Sequence, residues 1–205
     1  EGSSYQGELR GKEKQKESVF GLFKSLKNLR RSFGKVSVNF GEPIYLEAFL
    51  KSHQPDWKKD IKNLETKPQW FNGLVDKLAI ELTTRINSSA ALNPVNMTAL
   101  ALLATERHAM DAQVLAKVMT TFSDLLKAFP YSDTMTFAEG TGEEWIQHTE
   151  NMRLVQRQKQ ALGDIISLND RNAVSLTYNR NNILHLFAVP SLIASLLRKN
   201  SSPPF

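Results

Sequence analysis

The chain has no cysteine, so disulfides, thiolate metal sites and catalysis by a thiol are excluded together, and the composition fits a reducing compartment. It also lacks a long apolar run. A membrane-crossing helix needs about 18 or more apolar residues in succession, and the best stretch here, Ile183 to Leu197, is interrupted by His185, Pro190, Ser191 and Ser195. There is no internal repeat, low-complexity tract or cleavable signal pattern. The first residue is Glu1 and not Met, and Ser201 to Phe205 follow directly on an apolar helix, so the sequence reads as a fragment of something longer. What is present suffices for a core: 41% apolar content over 205 residues is that of a globular chain and not of a disordered one.

Charge is unevenly placed. The net charge is +5, yet Arg10 to Lys35 alone carries nine Lys/Arg against Glu13 and Glu17, while from Val36 onward there are 17 basic and 17 acidic residues. The basic segment has a helical period, with Val19, Leu22, Phe23, Leu26, Leu29 and Phe33 on one stripe and Lys24, Lys27, Arg30 and Arg31 beside or opposite it. Such a helix has three uses. It can bury its stripe in a core, lie on an anionic membrane with Phe20 and Phe23 entering the acyl boundary, or set its cations against nucleic-acid phosphates.

After Gly34, the alternation of Val36, Val38 and Phe40 with Ser37 and Asn39 predicts a half-buried strand closed by Gly41-Glu42-Pro43. A short helix is expected over Leu46 to Lys51. His53 to Asn72 is polar with Pro55, Pro68, Trp57 and Trp70, and predicts an extended connection anchored by its aromatics. Leu74, Leu78, Leu82 and Ile86 mark one helix; Asn93-Pro94 opens a second; Asp111 caps a third, Ala112 to Phe129, stopped by Pro130. Glu143 to Leu162 predicts a fourth. Ile165 to Leu168 and Ala173 to Leu176 flank the turn-prone Asn169 to Asn172, which predicts a hairpin.

The segment from Ser175 to Ala194 sets polar residues into an apolar helix. Tyr178, Asn181, Asn182 and His185 fall within about a quarter-turn of one another, with Ile183, Leu184, Leu186 and Phe187 among the residues covering the rest. The stripe is expected to be buried or half-buried, and an unpartnered polar group there costs about 1 to 3 kcal/mol. These groups therefore bond within the protein or hold a ligand. The histidines His53, His108, His148 and His185 show no metal-ligand spacing; His108 and Asp111 share a face, but Asp111 is better used as a cap. Phe137-Ala138-Glu139-Gly140-Thr141 lacks the following arginine that would grip a phosphate, because the next residue is Gly142. It is expected to be a loop leading into a helix.

Several strings together resemble the C-terminal third or so of the bacterial membrane-bound glycerol-3-phosphate 1-O-acyltransferases. They are Glu8-Leu9-Arg10-Gly11-Lys12, Val38-Asn39-Phe40-Gly41-Glu42-Pro43-Ile44, Pro68-Gln69-Trp70, Gly163-Asp164-Ile165-Ile166-Ser167-Leu168, and above all Tyr178-Asn179-Arg180-Asn181-Asn182-Ile183-Leu184-His185-Leu186-Phe187-Ala188. They stand in the family's order and cover nearly all of the chain. The resemblance implies transfer of a fatty acyl group from acyl-CoA or acyl carrier protein to glycerol 3-phosphate. The setting it implies is the cytoplasmic face of the bacterial inner membrane, reached peripherally, with no cofactor, no metal and no nucleic-acid partner. The family's His-x-x-x-x-Asp pair, whose His acts as general base, is not matched: five residues after His53, His108, His148 and His185 stand Lys58, Gln113, Arg153 and Pro190. No catalytic residue is carried over, and the fragment is expected to be inactive alone.

The expected fold class is α+β, mainly helical. Residues 1–52 would end an α/β acyltransferase domain with a terminal strand and helix, 53–72 would connect, and 73–205 would form a helical C-terminal subdomain with a short hairpin. Arg180, Asn181 and His185 are the candidates for support of the substrate pocket, and Phe20, Phe23, Lys24, Lys27, Arg30 and Arg31 for an anionic membrane surface. The alternative reading is a winged-helix nucleic-acid-binding domain or a non-enzymatic interaction domain.

Overall fold

The structure, a computed structural model, describes residues 37–61, 67–168 and 170–201. The basic amphipathic segment and its six membrane candidates, Phe20 to Arg31, lie outside the described residues. The protein is mainly helical α+β, and among the described residues it divides into two compact units. The smaller takes Val38–Ala91 and Pro130–Thr136; the larger takes Leu92–Phe129 and residues 137–201.

In the smaller unit, helices α1 (Leu46–His53), α2 (Trp57–Ile61) and α3 (Trp70–Ser88) follow an irregular entry segment. That segment corrects the expected strand at Val36 to Phe40. Its described part pairs with no strand, and Phe40 is 90% exposed. Alternation alone cannot make a strand, since each N–H and C=O needs a neighbouring strand to bond. The segment is instead pinned by side chains. Asn39 Nδ2 donates to the Ser89 carbonyl and to Thr136 Oγ1, both at 2.8 Å. Arg85, paired with Glu81 at 2.7 Å, donates to the carbonyls of Glu42 and Pro43. Gly41 fits there because any Cβ would stand 2.8 Å from Ser89 Oγ. The expected extended connection is corrected too: α2 falls inside it, and the Trp70 indole donates to Asp60 at 2.9 Å. The aromatic anchors as expected, between α2 and the start of α3.

The larger unit is built on α4 (Pro94–Leu103), whose Asn93 N-cap and Asn96 bond each other's backbone in a capping box. Asn96 to Ala99, Ala101 and Leu102 are buried, so the helix is covered on all sides, as an all-round apolar helix must be. Around it stand β2 (Ala109–Asp111), α5 (Ala112–Ala128), α6 (Gly142–Asn151), β4 (Val155–Gln158), β5 (Ile165–Leu168) and α7 (Asp170–Leu184). Two-residue strands β1 (Ala91–Leu92) and β3 (Thr136–Phe137) fall at the boundaries of the two units and pair with each other, and Ala138 N–H donates to the Leu92 carbonyl. The three-stranded sheet is antiparallel in the order β2-β5-β4, with Ile166 opposite both Met110 and Arg157. In chain order these elements run α4, β2, α5, the short β3, α6, β4 and β5, with the last strand central in the sheet.

Two expectations fail here for local reasons. The fourth helix ends at Asn151 and not Leu162, because Arg153 takes a left-handed turn at φ 57° and the chain reverses into β4. The hairpin is formed by β4 and β5, not by Ile165 to Leu176. Ala173 to Leu176 lie inside α7, and Asn172 ties that helix to the turn between α6 and β4 by donating to the carbonyls of Arg153 and Leu154. Turn-prone residues thus start a helix instead of a strand.

Candidate functional site

Helix α7 carries the polar strip expected either to bond within the protein or to hold a ligand. Its buried side chains are Leu176 and Ile183, at 1% and 0% exposure, followed by Leu186 and Phe187 in the 3-10 turn His185–Phe187. Leu176 and Ile183 are two helical turns apart and share the face that packs on α4. Tyr178, Asn182 and His185 sit on the other side; Tyr178, Asn181 and Asn182 are exposed, which overturns the burial expected of them, whereas His185 is half-buried as expected. Ile183 and Leu186 won the core because their spacing from Leu176 matches the groove, leaving the amides to water. The Arg180 guanidinium donates to Asn181 Oδ1 at 3.0 and 3.2 Å. Arg180 and Asn181 are thus brought together, with His185 one turn beyond Asn181 on the same side. Exposed amides beside a half-buried guanidinium and imidazole are groups that can dock or bind.

The string Phe137 to Thr141 has a structural job. Thr141 caps α6 in a capping box with Glu144, whose carboxylate accepts from the Thr141 N–H at 2.7 Å and its hydroxyl at 3.0 Å. These bonds hold the Glu144 carboxyl below the usual carboxylate range, the backbone N–H contributing most. Trp145 donates its indole N–H to the Glu139 carbonyl at 2.7 Å, and Gly140 takes φ 100°. At Gly142 a Cβ would overlap the Ala116 carbonyl oxygen of α5. An arginine has no room there. Asp111 likewise serves as the cap of α5, its Oδ1 accepting from the N–H groups of Gln113 and Val114.

Sequence reasoning missed Arg157, because it stood inside the expected fourth helix. On β4 its guanidinium gathers Glu143 at 2.6 Å, Glu150 at 3.0 and 3.1 Å and Asp164 at 3.3 Å. The bond to Glu150 is the main reason its own proton is held more tightly than usual. All three carboxylates belong to elements that β4 must hold together. Among the described residues no group of three His, Asp or Glu could hold a metal ion, and in the smaller unit His53, Trp70 and Lys77 line only a shallow cleft.

The described residues form a mainly helical α+β region whose polar candidates lie on α7 and β4. Residues 5–204 match the family described as the glycerol-3-phosphate acyltransferase C-terminal region, and the chain belongs to that family. It is 47% identical over 201 residues to the glycerol-3-phosphate acyltransferase of Pseudomonas paraeruginosa strain PA7, covering 98% of this chain and 24% of that protein. The enzymes of the same name from Pseudomonas syringae pv. syringae strain B728a and Pseudomonas fluorescens strain Pf0-1 are each 46% identical over the same shares. The chain thus spans about a quarter of the length of the curated relatives it matches.

Proposed function

We propose that the protein carrying this chain transfers a fatty acyl group from acyl-CoA or acyl carrier protein to the sn-1 hydroxyl of glycerol 3-phosphate, giving lysophosphatidic acid. The observation that carries this reading is the match along 98% of the chain to proteins of that name. In the reaction the thioester C–S bond breaks, an ester bond to the glycerol oxygen forms, and the hydroxyl proton passes by way of a general base to the departing thiol. No His in this chain has Asp five residues on. The base is therefore assigned to another part of the protein, with an anionic inner-membrane surface on the cytoplasmic side as the place of work.

This chain's part is architectural. Residues 1–52 would close the acyltransferase domain, and the exposed Val38 and Phe40 are the side chains a neighbouring strand and helix would cover. Residues 73–205 would pack on that domain through the polar strip of α7, with Arg180, Asn181 and His185 supporting the substrate pocket. The nucleic-acid alternative is disfavoured by α6, the helix a winged helix would lay against phosphates: it carries Glu143, Glu144 and Glu150 and no Lys or Arg.

The test is to supply the purified full-length protein with glycerol 3-phosphate and either donor and to look for lysophosphatidic acid acylated at position 1. Failure with both donors ends the reading. Arg180→Ala, Asn181→Ala and His185→Ala should raise the KM for glycerol 3-phosphate; changes confined to thermal stability would remove these residues from the pocket.

A further inference from the structure

Among the described residues of the larger unit, the largest group of exposed bulky apolar side chains on one element lies on its last helix, α8 (Ala188–Ser201). Pro190 explains why it starts where it does. A proline inside a continuous helix would lack an N–H and clash with the carbonyl four residues back, so the chain passes through the turn His185–Phe187 and begins afresh, with Pro190 in the first turn. Below that turn α7 is anchored in the core; beyond it every residue from Ser191 to Lys199 is exposed.

The exposed helix has two distinct faces. Val189, Leu192, Ile193 and Leu196 recur at i, i+3, i+4 and i+7, joined by Leu197, and their exposure runs from 52% at Ile193 to 65% at Val189. Water contact on this scale is unfavourable for five branched side chains on one stripe. The opposite face is Ser191, Ala194, Ser195 and Arg198. It is small, and the Ser195 hydroxyl is turned back to the Ser191 carbonyl at 2.8 Å, so it asks little of its surroundings.

Charge selects the occupant. The even balance beyond Val36 conceals two opposite regions: residues 36–170 hold 13 Lys/Arg against 17 Asp/Glu, whereas 171–205 hold four Lys/Arg and no carboxylate side chain. Arg198 and Lys199 stand at the end of α8 itself. A bulky apolar stripe, a small serine-containing back and a segment of wholly positive sign match the interior edge and the anionic headgroups of a phospholipid surface. The helix is about 21 Å long at 1.5 Å per residue, too short for a hydrocarbon layer of about 30 Å. We infer that α8 lies in the plane of an anionic phospholipid membrane, with Val189, Leu192, Ile193 and Leu196 in the acyl boundary and Arg198 and Lys199 among the headgroups. This assignment rests on α8 alone and not on the acyltransferase reading.

The deciding experiment places a reporter on the stripe. The full-length protein with Leu192→Trp is added to phosphatidylcholine/phosphatidylglycerol vesicles with brominated acyl chains, and the added indole fluorescence is compared with that of the unsubstituted protein. Quenching of the added signal is expected. Its absence in protein that sediments with the vesicles overturns the assignment, as does failure to sediment at all. The paired variant Leu192→Glu with Leu196→Glu should partition about tenfold or more weakly while keeping its melting temperature and its rate of acyl transfer in detergent micelles. A lowered melting temperature in detergent would show that α8 is covered by protein instead, and would overturn the assignment whatever the state of the acyltransferase reading.

Discussion

At the scale of single residues, Gly142 is set by packing. Its backbone lies against the Ala116 carbonyl, so Gly142→Ala should cost about 1 to 3 kcal/mol and Gly142→Arg more, as overpacked sites do; urea unfolding of the chain measures both. Ser123 offers the opposite case. Its hydroxyl is buried in α5 without a hydrogen-bond partner, so Ser123→Ala should leave stability unchanged or raise it by up to about 1 kcal/mol. Glu144 carries a pH signature. Because Thr141 holds its carboxyl below the usual range, the cap contributes its full stability above the unfolded-state pKa and loses it as pH falls through the lower folded value. Glu144→Gln keeps an acceptor but no titration, so its thermal stability should fall less on acidification than that of the parent sequence. Equal acid losses in the two proteins would remove Glu144 from that role.

At the scale of elements, the β4–β5 pair is held to α6 by one cation. Arg157 joins β4 to α6 through Glu143 and Glu150 and to the approach of β5 through Asp164. Glu143 is more than half exposed and contributes little, whereas Glu150 at 17% would be left with a poorly hydrated charge. Arg157→Met should therefore cost about 2 kcal/mol. Arg157→Lys should restore less than half of that, since an ammonium cannot serve three partners in fixed directions. This is also the element the sequence concealed most. Val-Gln-Arg-Gln has one apolar residue, follows an amphipathic helix without Gly or Pro, and ends that helix through a left-handed arginine that no local rule marks. Helix starts were legible where chemistry is specific, as at Asn93-Pro94 and Asp111, each of which caps the helix expected of it. The burial of α7 was not, because apolar residues lie on both of its sides and only the groove on α4 decides between them.

At the scale of the whole molecule, the chain spans about a quarter of the length of the curated relatives it matches, and Phe40 is among its most exposed apolar side chains. Phe40→Asp should leave the melting temperature of this chain alone unaltered, because the ring is already in water, but should lower that of the full-length protein if a sheet covers it there. Unaltered melting of both would refute the covering of Phe40 in the full-length protein. The chain alone should release no lysophosphatidic acid from either donor, whereas the full-length protein should. One further consequence follows from α4. A helix enclosed on every side by α5, α6 and α7 cannot fray or open by itself. Its amide protons should trade for deuterium only when the larger unit unfolds as a whole, so the isotope uptake of Met97 to Leu102 becomes a clock for global opening, slowest of all the segments and insensitive to whatever occupies the surface.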